Sequence, residues 1–340
     1  MTDAPLFPIF VRKGRSRTHY NVGYINNEGK VVIEPIFNEG TRFYGGLAAV
    51  SLKGRWGIIN ASGNFVVQPK LWSWCRFDGG LAGLANRSGK WGIIDREGNS
   101  IIQPKYDYVG PFRNDRALFR MGELSNARFG YVDRKGDEVI PAVFHDACGF
   151  SEGLAAAKVG NLWGYIDPSS LFKITPRFES TRQGAKRVED TRAGYFVNGL
   201  APVWLGTGYG FVNAFGNTVI EGSFDEAKSF CEGRALVKRQ RRYGFVDRSG
   251  KMAIKAKFTR AHNFSEGLAA VAEKESAVGF VPPWGFIDSE GNMVLEPTFY
   301  SAHEFRDGLC LVETKDSIGY IDRSGKFAWQ GPYVEYGVVL

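Results

Sequence analysis

The sequence predicts an all-β protein, a tandem array of about nine three-stranded antiparallel units. An aromatic or apolar residue followed by Gly, two apolar residues and Asp or Asn recurs nine times, usually with another Gly three residues later. Glycine (43 residues) and aromatic residues (14%) are both abundant. No long segment carries apolar residues at helical spacing, so we expect almost no helix. A repeat of this kind determines the architecture before any single motif is considered.

The first element of each unit is a β-hairpin that begins at the aromatic-Gly pair. Fourteen residues separate its Gly from the aromatic residue that ends the next strand, for example Gly92 and Tyr106, and only Leu71 is not aromatic at that end. Asp or Asn opens the intervening turn and Gly closes it, which is typical of a tight turn. Proline near the end of the return strand, as at Pro104, indicates an edge strand because proline lacks an amide donor.

The third strand is the Gly-Leu-Ala segment, for example Leu47 to Leu52, which brings the repeating unit to 34 residues. One such unit buries too little surface alone, so neighbouring units must stack. We expect the repeated aromatic residues, among them Trp163, Trp284 and Phe150, to form the core between units. The sequence thus predicts a single repeat domain over 1–340, with units at about 6–42, 43–76, 77–111, 112–149, 150–196, 197–229, 230–263, 264–304 and 305–340.

The linked words Arg-Trp-Gly-Ile-Ile-Asn-Ala-Ser-Gly-Asn (55–64) and Lys-Trp-Gly-Ile-Ile-Asp-Arg-Glu-Gly-Asn (90–99) resemble the bacterial WG-repeat family. The words at 102–106 and 264–271 resemble it as well, and the resemblance covers nearly the whole chain. It implies a β-repeat scaffold without common catalytic residues. Copies with Phe, Tyr or Ile before Gly depart from the Trp consensus, and Ser170 replaces the closing Gly of its turn.

The period favours an open, curved or superhelical β-array over a closed ring. Propeller units commonly run to about 40–45 residues, longer than the unit found here. Whole units also fit end to end, because Phe7 to Val11 reads as a strand before the first aromatic-Gly copy. A closed, propeller-like toroid is the main alternative.

Nothing in the sequence indicates catalysis, a cofactor or a metal centre, so we do not expect an enzyme. No phosphate-binding loop, nucleophile elbow or HExxH word occurs. Cys75, Cys148, His262 and His303 share one repeat position, four residues after the strand-ending residue. They are zinc-ligand types, but Thr41, Gly110 and Lys228 occupy the same position in other units. We therefore interpret the position as a variable surface or lining position.

Charge is the clearest functional asymmetry of the chain. Its net charge is +7, and Lys and Arg concentrate in the loops before the aromatic-Gly strands, which contain few acids. In a stacked array these loops share one side, which we call the basic rim, and a basic surface attracts an acidic partner. The basic rim comprises Arg12, Lys13, Arg15, Arg17, Lys53, Arg55, Arg87, Lys90, Arg120, Arg128, Lys238, Arg239, Arg241 and Arg242.

The function that we prefer is a non-catalytic protein-binding scaffold with an acidic partner, such as an immunity or antitoxin protein that neutralises a bacterial toxin. Insertions at 120–128, 181–196 and 273–281 are its expected contact loops, because insertions mark surface loops. A carbohydrate or cell-wall binding module is the alternative, with Trp72, Trp74 and Trp204 as candidate exposed aromatics. Nucleic-acid binding on the basic rim is a weaker third possibility, since no stacking platform is evident.

Two features bear on location. The N-terminal segment has the wrong order of basic and apolar residues for a secretory signal, and no run of about 18 apolar residues occurs. The four cysteines are scattered without close pairs, which fits free thiols in a reducing compartment. We therefore expect a cytoplasmic protein without a membrane partner. The sequence says nothing about its oligomeric state.

Overall fold

The computed structural model describes residues 5–14, 19–74, 77, 80–179, 193–273 and 283–333. For Trp74 it describes the backbone but not the side chain. These residues form β-strands and turns without any helix, so none of them lies in a helix long and apolar enough to cross a bilayer. The strands form nine small sheets of consecutive antiparallel strands. The all-β prediction is confirmed.

The strands of each sheet follow one another along the chain. The sheets are β1–β3 (Phe7–Arg12, Tyr20–Ile25, Val31–Phe37), β4–β7 (Glu39–Gly40, Leu47–Leu52, Arg55–Asn60, Phe65–Leu71), β8–β11 (Ser73–Trp74, Ala82–Ala85, Trp91–Ile94, Ser100–Tyr106), β12–β15 (Tyr108–Arg113, Arg116–Met121, Arg128–Asp133, Glu138–Phe144), β16–β19 (Asp146–Ala147, Ala155–Val159, Leu162–Ile166, Phe172–Glu179), β20–β22 (Leu200–Trp204, Tyr209–Asn213, Thr218–Phe224), β23–β26 (Glu226–Ala227, Ala235–Arg239, Arg242–Val246, Met252–Phe258), β27–β30 (Arg260–Ala261, Ala269–Ala272, Trp284–Ile287, Met293–Phe299) and β31–β34 (Ser301–Ala302, Cys310–Glu313, Ser317–Ile321, Phe327–Pro332).

The structure adds one strand that the sequence did not predict. Seven of the nine sheets begin with an extra strand, which is only two residues long in all of them but β12–β15. We call this the first strand; the second strand is then the Gly-Leu-Ala strand, the third the aromatic-Gly strand and the fourth the return strand. The fourth strand lies at the edge of its sheet, as the prolines predicted. Two-residue strands carry no periodic signal, which is why the sequence indicated three-stranded units.

The chain forms two compact units, each of which contains several of the sheets; from here on, unit 1 and unit 2 mean these two and not the single repeats. Unit 1 comprises Met1–Gly89, Ile94–Ser100 and His262–Leu340, and unit 2 comprises Lys90–Ile93 and Ile101–Ala261. In each unit the hydrophobic core lies between successive sheets. In unit 2, for example, Trp163 and Tyr165 of β18 pack with Phe196 and with Val203 of β20. The prediction that repeated aromatic residues form the core holds for Trp163 and Phe150, which are 1% exposed, and for Trp284, which is 7% exposed.

The turn between the third and fourth strands is capped by its first side chain. The carboxylate of Asp247 accepts hydrogen bonds from the backbone amides of Ser249 (2.9 Å) and Lys251 (3.1 Å). The equivalent Asn60 bonds the amides of Ser62 (3.1 Å) and Asn64 (3.0 Å) in the same way. Asp and Asn are interchangeable here because both place an oxygen within reach of these amides.

The glycine of the aromatic-Gly pair allows the fourth strand to cross close to the third. A Cβ atom built on Gly57 would lie 2.7 Å from the carbonyl oxygen of Val67 and 2.9 Å from the ring of Phe65. The register between β6 and β7 shifts on both sides of Ile58, so the fourth strand bends over this point. The repeated glycine is therefore a packing requirement of the hairpin.

The last and the first sheets meet within unit 1. The Tyr320 hydroxyl donates a 3.0 Å hydrogen bond to the carbonyl of Pro8, and β34 contacts β1. Tyr24, which lies at the same place in the first sheet, donates to the carbonyl of Thr41 in the next sheet (2.9 Å). The last-to-first junction thus uses the same kind of bond as a junction between consecutive sheets. The first and last sheets are therefore in direct contact within unit 1.

Candidate functional site: the basic-rim loops

The loops predicted to form the basic rim join the second and third strands of their sheets. Within a sheet they lie at the end where the fourth strand finishes, opposite the Asp/Asn turn. Unit 1 contains Arg12, Lys13, Lys53, Arg55 and Arg87, and unit 2 contains Lys90, Arg120, Arg128, Lys238, Arg239, Arg241 and Arg242. Arg15 and Arg17 lie outside the described residues.

The tips of two rim loops are two-residue turns with positive φ. Lys53 (φ 51°) and Gly54 (φ 73°) connect β5 to β6, and Gln240 (φ 50°) and Arg241 (φ 64°) connect β24 to β25. Such turns favour Asn and Gly, because a Cβ atom costs about 1–2 kcal/mol in the left-handed region. Arg241 therefore occupies a position where glycine would be the more stable residue. It is an exposed guanidinium at the outermost point of its hairpin.

The residue that follows the strand-ending aromatic supports three of the rim loops and the equivalent loop at 160–161. The side chains of Asn38, Asp107, His145 and Asp225 accept hydrogen bonds from loop amides of Lys53 (2.9 Å), Gly122 (2.7 Å), Gly160 (3.1 Å) and Arg241 (3.2 Å), respectively. The sequence analysis missed this support. Its signal is a polar side chain one position after the aromatic end of the fourth strand, which is Asn, Asp or His before these four loops but Trp72 before the loop at 86–90.

Acidic side chains outside the loops pair with two of the rim lysines. Lys90 Nζ lies 2.6 Å from a carboxylate oxygen of Asp107, and Lys238 Nζ lies 2.6 Å from Glu226 Oε1. The hydrogen bond from Lys90 holds the pKa of Asp107 below its ordinary value, with the amide of Gly122 adding to the effect. The rim loops themselves contain few acids, as expected, but acidic side chains from neighbouring segments pair with two of their lysines.

Exposed cations remain after this pairing. Arg239 and Arg241 in unit 2 are exposed, as are Lys53 and Arg87 in unit 1. Arg128 is half-buried, and its guanidinium donates to the backbone carbonyl of Ala127 (2.9 Å). Each unit therefore presents its own exposed positive charges on rim loops.

The candidate aromatics differ in exposure. Trp72 is 43% exposed, and the Arg55 guanidinium covers one face of its ring with its Cζ atom 3.5 Å from the ring centroid. Trp204 is half-buried and packs edge-on against Tyr209, with 5.5 Å between ring centroids. The side chain of Trp74 lies outside the described residues. Of the two candidates whose side chains the structure describes, Trp72 is the one that is substantially exposed.

The shared Cys/His position lies at the end of the first strand. Backbone amides there donate to the second strand, from Cys148 to Ala156 (2.9 Å), from His262 to Ala270 (2.9 Å) and from His303 to Leu311 (3.1 Å), which establishes that the positions are equivalent. Cys75 lies outside the described residues. In the part of the chain that the structure describes, no three or more His, Cys, Asp or Glu side chains are grouped to hold a metal ion.

Two of the expected contact loops fall mostly outside the described residues, since only 193–196 and 273 of the segments 181–196 and 273–281 are described. The loop within 120–128 is described. It follows β13 and places Leu124 on the surface with 82% exposure. Its acid, Glu123, stands beside the basic residues Arg120 and Arg128 in sequence.

Comparison with known proteins identifies the repeat. The family model for the WG-containing repeat matches residues 23–56, 56–84, 91–124, 129–163, 209–240, 243–275 and 284–316. No curated protein matches the chain in sequence.

Solved structures with similar chain traces share little sequence with this protein. BamB from Moraxella catarrhalis is 10% identical over 94% of this chain and 96% of that one, with a TM-score of 0.43. Hsv2p from Kluyveromyces lactis is 11% identical over 72% of each chain, with a TM-score of 0.32. The AfRom2 CNH domain is 9% identical over 68% of this chain and 88% of that one, with a TM-score of 0.35. At these scores the similarities carry no argument about function.

Proposed function

Because the chain belongs to the WG-containing repeat family, we propose that it is a non-catalytic scaffold that binds an acidic protein partner through its basic-rim loops. A repeat β fold suits such a role, since stacked units present an extended rigid surface. Side-chain hydrogen bonds hold the backbone amides of Lys53, Gly122 and Arg241, so the backbone of three rim loops is positioned before binding. Preorganised contacts cost less entropy on association.

One observation carries the proposal, namely the conformation of Arg241. Its left-handed backbone (φ 64°) is costly for arginine, yet its side chain is exposed and its amide is fixed by Asp225 at 3.2 Å. Backbone strain at an exposed charged residue is a reason to infer function at that residue. Arg239, two residues earlier on the same hairpin, adds a second exposed guanidinium. Arginine is also enriched at the energetic centres of protein interfaces.

We further propose that the partner is a toxin that the scaffold neutralises, and that the protein acts in the cytoplasm. A reducing compartment is compatible with Cys148, Cys231 and Cys310, which form no disulfide in the structure.

The test is affinity capture from the protein's own host with two baits, the wild-type protein and the Arg239→Glu, Arg241→Glu variant. We expect at least one acidic protein to be retained by the first bait and lost with the second. Expression of that protein alone should arrest growth, and co-expression with the scaffold should restore it. If no captured protein binds the wild-type bait more strongly than the variant bait, the scaffold proposal is contradicted. If the captured partner does not affect growth, only the proposal that it is a toxin is contradicted.

A glycan is the second candidate ligand, and the exposed Trp72 is the observation that favours it. Carbohydrate rings stack on flat aromatic faces, and one face of this indole is already covered by Arg55. A Trp72→Ala variant should then lose binding to a glycan array that the wild-type protein recognises. If the wild-type protein binds no glycan on the array, this candidate is removed.

A further inference from the structure

The loop between β13 and β14 is longer than the turns at the equivalent place in two other sheets. Six residues, 122–127, separate Met121 from its strand partner Arg128. Two residues separate the equivalent partners in each of the other hairpins, 53–54 between β5 and β6 and 240–241 between β24 and β25. The longer segment, which we call the 122–127 loop, lies on the basic rim of unit 2.

Hydrogen bonds fix the backbone of the 122–127 loop at both ends and in the middle. The amide of Gly122 donates to the Asp107 carboxylate at 2.7 Å. The amide of Asn126 donates to the carbonyl of Glu123 at 3.0 Å, which closes a β-turn. The Arg128 guanidinium donates to the carbonyl of Asn126 at 3.3 Å. The loop is therefore shaped before any partner binds, which reduces the entropy lost on association.

Two apolar side chains of this hairpin end face solvent. Leu124, inside the β-turn, is 82% exposed, and Met121, at the end of β13, is 40% exposed. Single exposed apolar residues are common on protein surfaces, so exposure alone does not indicate a contact. Leu124 differs in that it stands on a hydrogen-bonded segment that exceeds the short turns by four residues. With this exposure it contributes little to the core.

The charges around the loop define the surface that it can meet. Arg120 and Arg128 flank the loop, and both are half-buried. Their guanidinium groups donate to backbone carbonyls, that of Arg120 to Asp107 (3.3 Å) and that of Arg128 to Ala127 (2.9 Å). A carbonyl accepts the bond without neutralising the charge, and the two arginines outnumber the acid of the loop, Glu123. An apolar patch bordered by carboxylates is therefore the complementary surface.

We propose that Leu124 is an apolar anchor that enters a pocket on the acidic protein partner, with carboxylates around that pocket facing Arg120 and Arg128. The inference rests on the proposed function and adds the shape and chemistry of the partner's surface. A projecting loop requires a concave surface opposite it, and a leucine fills an apolar pocket without leaving a polar group unpaired. The leucine contributes by burial, which salt does not screen, whereas salt does screen the arginines.

The first experiment locates the contact by photo-crosslinking with the full chain in the protein's own host. Benzoylphenylalanine replaces Ser125, the exposed neighbour of Leu124, or, as the matched control, the exposed Ser169 on an Asp/Asn turn of unit 2. We expect irradiation to link an acidic protein to position 125 and not to position 169. If no acidic protein is linked preferentially at position 125, the anchor is overturned.

The second experiment measures the affinity of the purified, linked protein for two serine variants. Leu124→Ser should weaken binding about tenfold to a hundredfold, by the same factor at low and at high salt. Leu171→Ser is the matched control, since Leu171 is 62% exposed on an Asp/Asn turn of unit 2, and it should bind like the wild type. Thermal unfolding verifies that both variants are folded. The anchor is overturned if Leu124→Ser binds as tightly as the wild type, or if its defect disappears at high salt.

The rim variant Arg239→Glu, Arg241→Glu separates the anchor from the proposed function. If this variant loses the partner while Leu124→Ser keeps it, the anchor alone is overturned. If Leu124→Ser weakens binding and the rim variant does not, the anchor stands and the role proposed for Arg239 and Arg241 is contradicted.

Discussion

The carboxylate of Asp225 accepts a 3.2 Å hydrogen bond from the backbone amide of Arg241 at the tip of the β24–β25 hairpin. Asp225 directly follows Phe224, the last residue of β22, and precedes β23. A residue at the end of one sheet therefore holds the rim loop of the next sheet along the chain. The same relationship joins Asn38 to Lys53 and Asp107 to Gly122. The repeat thus builds a supported loop and leaves the outward side chain free to vary.

Replacing Arg241 by glycine should stabilise the protein and weaken partner binding. Glycine relieves the left-handed strain, and its greater freedom in the unfolded chain offsets part of that gain. We expect the free energy of unfolding to rise by about 0.5–1 kcal/mol in urea titrations. The same change at Arg239, which lies in a strand, should lower it. A destabilised Arg241→Gly variant would show that the arginine is held by contacts that outweigh the strain.

Two substitutions of Asp107 separate the contribution of its hydrogen bond with Gly122 from that of its ion pair with Lys90. Asp107→Ala removes both the Gly122 acceptor and the Lys90 partner and should cost about 1–2 kcal/mol of unfolding free energy. Asp107→Asn keeps an acceptor for Gly122 and loses only the partly exposed ion pair, which should cost less than 1 kcal/mol. Equal losses in chemical denaturation would contradict the assigned role of the loop hydrogen bond.

The repeated glycine should not tolerate a side chain. Gly57→Ala places a methyl group against the carbonyl of Val67 and should lower the free energy of unfolding by about 3 kcal/mol, as overpacking does. Gly110→Ala is the matched control, because its Cβ would lie 3.6 Å from the nearest atoms, an ordinary contact. Similar thermal midpoints for both variants would argue against a close approach of the fourth strand.

Acid should weaken the turns that begin with Asp but not those that begin with Asn. The Ser249 hydroxyl and the amides of Ser249 and Lys251 lower the pKa of Asp247. A folded-state pKa below the unfolded value means that the stabilisation is complete above about pH 4 and is lost as the pH falls through the folded pKa. Asp247→Asn should therefore reduce the loss of stability between pH 5 and pH 3, measured by urea unfolding. An unchanged loss would exclude Asp247 as a contributor.

His303 should make stability depend on pH in a higher range. Burial lowers its pKa to about 4, so the unfolded chain takes up a proton first as the pH falls below about 6.5. The resulting stabilisation is complete above that pH and is lost as the pH falls towards 4. His303→Gln should flatten the pH dependence of the free energy of unfolding between pH 7 and pH 4.5 in urea titrations. An unchanged pH dependence in the His303→Gln variant would contradict the lowered pKa of His303.

Much of the fold could be predicted because the repeat carries it many times. Nine copies of the turn made the role of Asp and Asn evident, and the fixed spacing placed the edge strand and its prolines. The short first strand was missed because pairs such as Glu39–Gly40 have too few residues to show alternation. The contact between the first and last sheets of unit 1 could not be predicted, because no local pattern reports a hydrogen bond between residues as distant in sequence as Tyr320 and Pro8.

The candidate site was predictable in location but not in electrostatics. The sequence placed the cations on equivalent loops, yet it could not show that Lys238 meets Glu226 while Arg239 remains exposed. It also placed His262 and His303 at one repeat position without showing that both side chains are half-buried.

The most direct test of the scaffold is the affinity of the captured acidic partner for matched charge variants. We predict that Arg239→Glu, Arg241→Glu weakens binding at least about a hundredfold, at about 1.4 kcal/mol per tenfold change. The control Lys135→Glu, Lys251→Glu makes the same change in net charge at the opposite ends of sheets in unit 2, on the exposed Asp/Asn turns, and should weaken binding only slightly. Equal affinity of the two folded variants would contradict binding through the basic rim.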